Sequence, residues 1–189
     1  MTFTSLDFET ANFSRASICA VGVATFENGI LMESLHWLVR PPSEHGWFLP
    51  AFTENCHGLS WIDVEHAPQF PAIAPELLAR LTRADLVIAH NAPFDIGALH
   101  TTLDYFTLTC REFDYLCTRR LAERVWPDLS SHSLDTLAAH IGHEFNHHHA
   151  QSDAEAAGRV LLAMMKHANA TTPRELLQKA GIEPKRFRQ

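Results

Sequence analysis

No segment of this chain reaches the roughly 18 consecutive apolar residues that a membrane-spanning helix requires. The opening stretch, MTFTSLDFETANF, has neither a basic n-region nor an apolar h-region, so it does not read as a secretory signal and an intracellular, cytoplasmic protein is expected. Cysteine is sparse: Cys19, Cys56, Cys110 and Cys117 show no CxxC pairing and no zinc-ribbon spacing. That suits reduced thiols better than a disulfide framework and argues against dithiol redox chemistry. There is no internal repeat and no low-complexity tract. Basic residues are outnumbered, 15 Lys and Arg against 22 Asp and Glu, for a net charge of -7. Because Lys and Arg usually supply phosphate contacts, this balance argues at first sight against a nucleic-acid partner.

What is present is enough for one domain with a sizeable core: 189 residues, 46% hydrophobic and 20% charged, the proportions of an ordinary globular protein. Residues 3 to 8 and 17 to 26 read as strands, the second almost continuously apolar. Asn28-Gly29 tolerates the positive φ of a type I′ turn, so 17 to 26 is expected to pair antiparallel with 30 to 39. Residues 41 to 71, with Pro41, Pro42, Pro50, Pro68 and Pro71, read as an irregular loop long enough to line a cleft. The spacing of Ile73, Leu77, Leu78 and Leu81 predicts a helix over 72 to 82, and DLVIAH a buried strand at 85 to 90. A helix should follow at once, with Asn91 or Ala92 as N-cap and Pro93 at its first position, which puts Asp95 in the first turn. A strand near 113 to 117 and helices over 118 to 125, 133 to 141 and 151 to 168 complete the pattern. Strands alternating with helices after an antiparallel start imply an α/β fold with a mixed sheet flanked by helices.

Four carboxylates then stand out. Asp7 and Glu9 are two apart on a predicted strand, so their side chains project to one face; taken alone, DFE also fits two solvated acids at a strand end. Asp153 shares a helical stripe with Ala157, Val160 and Met164, the stripe that must pack on the sheet. A carboxylate facing inward requires a cation, a hydrogen-bond network or a proton, and it also complements the helix dipole. His148 lies five residues before Asp153, about 140° round a continuous helix, so it should sit just outside that helix, where a neutral imidazole is able to remove a proton from water. His143-Glu144-Phe145-Asn146-His147 fits the HExxH zinc-protease pattern, but that motif needs a continuous helix and this segment follows Gly142 into a histidine-rich loop.

The three short motifs, in order, resemble the DEDDh branch of the DnaQ-like 3′-5′ exonucleases, a family that includes proofreading subunits. D-x-E matches Asp7-Phe8-Glu9, N-x-x-F-D matches Asn91 to Asp95, and H-x-A-x-x-D matches His148 to Asp153; the third match selects His148 from its neighbours His147 and His149. His57-Gly58-Leu59 resembles the family's HG(I/L) element, and HSLDTLA at 132 to 138 is typical of it. The resemblance implies a ribonuclease H-like fold with a five-stranded mixed sheet, an exonuclease domain over 1 to 170 and a short basic C-terminal tail over 171 to 189. It implies two divalent ions, Mg²⁺ or Mn²⁺, held by Asp7, Glu9, Asp95 and Asp153, with Asp7 bridging and His148 as base. It further implies a nucleic acid 3′ end as substrate, with Thr10, His57, Leu59 and Asn91 placed near the terminal nucleotide; single-stranded or frayed DNA is the leading expectation and RNA the alternative, because the sequence does not separate the two. Hard divalent cations take carboxylate oxygens, and a metal pair stabilises both the attacking and the leaving oxygen of a phosphoryl displacement. Two such ions would bring the net charge to about -3, which answers the objection from acidity. Basic groups also cluster, at Arg119, Arg120 and Arg124 and at Lys179, Lys185, Arg186 and Arg188. A DNA polymerase is a possible partner, although the short C-terminal stretch favours a stand-alone enzyme.

Overall fold

The computed structural model describes all of residues 1 to 189. The chain opens as the predicted meander: β1 (Thr2–Thr10), β2 (Ile18–Glu27) and β3 (Ile30–Leu38). Asn28 and Gly29 both take positive φ, 50° and 81°, which sets the tight antiparallel turn. The proline-rich stretch is less irregular than expected. It folds into a 3₁₀ turn (Ser43–His45) and two short helices, α1 (Pro50–Asn55) and α2 (Trp61–Val64). Ser60 and Asp63 close α2 with a reciprocal capping box, a local device that outweighs the lack of apolar periodicity.

From there helices and strands alternate: α3 (Phe70–Arg83), β4 (Leu86–Ala89), α4 (Pro93–Tyr105), β5 (Phe113–Cys117), α5 (Thr118–Val125), α6 (Leu134–His140) and α7 (Ala150–His167). No helix is long and apolar enough to cross a membrane. The sheet has six strands rather than five, in the order β3-β2-β1-β4-β5-β6. The extra strand comes from the segment expected to be a basic tail. That segment forms α8 (Pro173–Ala180) and β6 (Lys185–Phe187), and β6 pairs antiparallel with β5. Leu176, Leu177 and Phe187 are buried, and Phe187 stacks on Phe113 with centroids 4.8 Å apart.

Alternation along the strands sorts the core into two layers. Phe3, Ala24 and Phe26 face α7 and α8, packing with Val160, Leu161, Met164 and Leu176. Leu6, Phe8, Val21 and Val23 face the other way, onto Leu77 and Leu81 of α3 and Leu99 and Leu103 of α4. Asp7 and Glu9 therefore lie on the α7 side of β1, in register with the alternation.

Two glycines let α7 lie close against the sheet. A Cβ on Gly22 would overlap the Ala150 carbonyl, and one on Gly158 would overlap the Phe26 ring. Gly22 is also the cross-strand partner of Asp7. The start of α7 is thereby set directly beside the first acid.

Candidate active site

The carboxyl end of β1 lies between two different neighbours. β2 runs antiparallel on one side, and β4 runs parallel on the other, paired only over Phe3, Thr4 and Ser5. Beyond Ser5 the chain of β4 has turned into α4, leaving backbone groups of β1 free of sheet partners. Asp95, in the first turn of α4, takes one of them: its Oδ1 accepts the Phe8 N–H at 3.0 Å. Asn91 makes the turn before α4 at φ 63°, Ala92 occupies the N-cap, and Pro93 follows at the start of the helix. On the β2 side the register slips between Glu9 and Thr10, a bulge of the kind that re-aims side chains beside functional sites.

The four acids converge. Single carboxylate oxygens of Asp7, Glu9 and Asp153 lie within 4.8 Å of one another. Asp7, Glu9, Asp95 and Asp153 all line one open cleft of about 360 Å³. Burial pushes the Asp7 carboxyl well above the usual carboxylate range, with Asp95, Glu9 and Asp153 adding repulsion. Burial likewise raises Glu9, reinforced by Asp153 and Asp95. Asp95 is raised by burial despite the Phe8 N–H that stabilises its charge. Asp153 is raised by burial and partly relieved by the His147 ring.

The donor set fits divalent metal. Asp95 is 1% exposed, and its Oδ2 has no hydrogen-bond partner; an orphaned buried oxygen among carboxylates is the atom a cation would satisfy. No ion pair holds Asp7, Glu9 or Asp95, and the one basic side chain lining the cleft from α5, Arg119, is paired with Glu123 at 3.6 Å.

The histidine run divides sharply. His148 takes φ 63°, which turns its ring into the cleft, and its N–H donates to Asp153 Oδ2 at 3.0 Å. Its Nδ1 lies 3.3 Å from Cys56 Sγ, and burial, with His147 adding, lowers its pKa from the ordinary histidine value. His147 also lines the cleft, its Nδ1 3.2 Å from Asp153 Oδ1 and its ring stacked on His148. His149 caps α7 and lies against His36, 4.5 Å between centroids. Residues 143 to 146 form no helix, so the two histidines of the HExxH pattern do not share a helical face.

Among the residues expected at the terminal nucleotide, Thr10 and Asn91 line the cleft and His57 and Leu59 do not. Both nitrogens of the His57 ring are engaged by backbone. Its Nδ1 accepts the Leu59 N–H at 3.0 Å, which leaves Nε2–H to donate to the Thr10 carbonyl at 3.1 Å. Leu59 packs beside Ala11, Cys19 and Val64. Phe52 of α1 and Phe94 of α4 take the cleft wall instead, and Phe13, 84% exposed, sits edge-on to Phe52. Phe94 is the aromatic residue of the N-x-x-F-D motif itself, whereas Phe52 and Cys56 lie in the proline-rich stretch, where no pattern marks them.

Comparison with known proteins now decides the family. A family profile described as RNase_T, exonuclease, matches residues 4 to 161. The chain belongs to this exonuclease family. It is of the DnaQ-like DEDDh type, an enzyme family whose members depend on divalent metal. Curated relatives include the DNA polymerase III PolC-type proteins of Streptococcus thermophilus, 26% identical over 168 residues, and of Streptococcus pneumoniae, 26% identical over 184. These matches take in 87% and 96% of this chain but only 11% and 12% of those proteins, so the chain spans about a ninth of their length. Among solved structures, Exonuclease X in complex with 5′ overhanging duplex DNA aligns with a TM-score of 0.72 at 21% identity, covering 95% of this chain and 99% of that one. The nuclease domain of 3′hExo, a DEDDh family member bound to rAMP, aligns at 0.75 and 14% identity, covering 97% and 96%. The ribonuclease H-like fold is thus shared closely at low identity.

Proposed function

We propose that this exonuclease hydrolyses phosphodiester bonds one at a time from the 3′ end of DNA, single-stranded or frayed, and releases nucleoside 5′-monophosphates. The observation that carries the reading is the convergence of Asp7, Glu9 and Asp153 within 4.8 Å beside the orphaned oxygen of Asp95. Asp7, Glu9 and Asp153 would hold one Mg²⁺ or Mn²⁺ ion, and Asp7 with Asp95 a second. Such a pair supplies charge neutralisation at the attacking and leaving oxygens. The chain's own residues do the rest. His148, with Nδ1 turned to Cys56, presents Nε2 to a water and takes its proton as the oxygen attacks phosphorus. The bond from phosphorus to the 3′ oxygen of the preceding nucleotide breaks, so the phosphate leaves on the terminal nucleotide and the shortened strand keeps a 3′-hydroxyl. Phe52 and Phe94 offer apolar faces to bases and exclude water from the wall.

DNA is favoured because the polymerase relatives act on it by name and Exonuclease X is described with duplex DNA; the rAMP in 3′hExo supports the RNA alternative. Metal-stripped protein incubated with 5′-labelled single-stranded DNA, duplex DNA and RNA, with and without Mg²⁺ or Mn²⁺, tests this. A ladder of shortened DNA that requires metal is expected. No degradation of any strand sinks the enzyme reading, and faster loss of RNA replaces the substrate.

A second reading, an accessory proofreading subunit, is favoured by the PolC-type relatives. It requires that excision of a mismatched primer end quicken when a replicative DNA polymerase is added.

A further inference from the structure

Next to the catalytic cleft runs a second groove of about 340 Å³, walled by α5, the end of β5, the start of α4 and the turn into β6. Residues adjacent in the chain divide between the two cavities. Asn91, Phe94 and Asp95 line the catalytic cleft while Pro93 lines the groove, and Arg119 lines the cleft while Arg120 lines the groove. Arg120 and Arg124 are four apart on α5 and so project on one face. Lys185 meets them from β6, which lies along β5 with Lys185 opposite Tyr115.

The charges in this groove are unlike those around it. Arg186 is held by Asp114 at 2.9 Å, Arg188 by Glu112 at 3.5 Å and Arg119 by Glu123 at 3.6 Å. Arg120, Arg124 and Lys185 are exposed and in no ion pair. Two acids share the lining: Glu123, already engaged by Arg119, and Glu183. In a chain of net charge -7, three unpaired cations in one groove mark a local reversal of sign. It lies beside a cleft whose own acids repel phosphate until metal is bound.

We propose that this groove holds the sugar-phosphate backbone of the substrate strand on the 5′ side of the scissile bond, with Arg120, Arg124 and Lys185 contacting successive phosphates. The inference rests on the exonuclease reading and deepens it. A strand whose 3′ end is seated among Asp7, Glu9, Asp95 and Asp153 leaves past Phe94 and Pro93 and meets the three cations beyond them. The groove thus supplies length-dependent affinity that the acidic cleft cannot, because counterion release scales with the number of phosphates neutralised.

The test uses the full chain and the variant Arg120→Gln/Arg124→Gln/Lys185→Gln, on a long single strand and on a dinucleotide that fills the cleft alone. The triple variant is expected to raise KM on the long strand by on the order of tenfold, leave kcat unchanged, and turn over the dinucleotide as the wild type does. Its log K against log salt should be shallower by about 2 for three lost contacts. Glu183→Gln, which removes the opposing charge, is expected to lower KM on the long strand. Unchanged long-strand KM in the triple variant overturns the proposal, as does an equal loss on the dinucleotide. On a duplex of the same sequence, assayed alongside, a loss that the single strand does not show assigns the groove to the complementary strand and overturns it too. Should the wild type degrade neither substrate, the exonuclease reading fails separately, and the salt slope of binding alone judges the groove.

Discussion

Asp153 serves four neighbours at once: it lies within 4.8 Å of Asp7 and Glu9, accepts the His148 N–H, and contacts the His147 ring. Asp153→Asn keeps the shape and removes the charge, so it should leave the circular dichroism spectrum intact while lowering kcat by at least about 10²-fold. Retained turnover would remove this acid from the site. His148→Ala should lower kcat by about 10² to 10⁴-fold, and His149→Ala should not. A dead His149 variant beside an active His148 variant would mean that the spacing from Ala150 and Asp153 selects the wrong ring. That spacing was legible in the sequence because the motif fixes how many residues separate the loop from α7. The role of His147 was not: whether a ring meets Asp153 depends on the turn at His148, whose positive φ no residue count reveals. The same limit explains His57 and Leu59. Each is where the motif puts it along the chain, but the hydrogen bonds to Leu59 N–H and the Thr10 carbonyl occupy both nitrogens of the His57 ring, a pairing that spacing does not reveal.

At the level of elements, α7 is placed by what β2 lacks. Gly22 leaves room for the Ala150 carbonyl and stands opposite Asp7, so a side chain there lifts the start of α7 away from β1. Gly22→Val should cost about 1 to 3 kcal/mol in stability through overpacking and should lower activity in the folded fraction as well, because Asp153 moves with the helix. Chemical denaturation and steady-state kinetics on the same sample separate the two effects; full activity in a merely less stable protein would show that α7 repacks without shifting its acid. Most elements were readable because their signals are local: the Asn28-Gly29 turn, Pro93 at the head of α4, Trp126-Pro127 after α5. The sixth strand was not, since three residues, Lys185 to Phe187, are too few for a period of two to register. The pairing of β6 with β5, the stacking of Phe187 on Phe113 and the burial of Leu176 and Leu177 show that the basic end belongs to the sheet.

For the whole molecule, the clustered acids make stability depend on pH and metal together. Asp7, Glu9, Asp95 and Asp153 all have folded pKa values above the ordinary carboxylate range, burial being the first cause of each. At these four groups the folded state therefore binds more protons than the unfolded one once pH exceeds about 4, where free carboxylates titrate, and their contribution to the slope of unfolding free energy against pH is negative. Metal-free protein should lose melting temperature as pH rises from about 7 to about 8, above the range in which the histidines with lowered pKa, such as His90 and His148, add the opposite slope. Mg²⁺ or Mn²⁺ binds the ionised form, so it should raise the melting temperature more at about pH 8 than at about pH 7. Asp95→Asn, which removes one ionising carboxyl without emptying its place beside Phe8 N–H, should flatten the metal-free pH profile and reduce the gain from metal. Melting curves at the two pH values, with chelator and with added ion, measure all three effects without any nuclease assay. A metal-free protein that is equally stable at both pH values would show that the four carboxylates share neither the burial nor the mutual repulsion on which a metal pair depends.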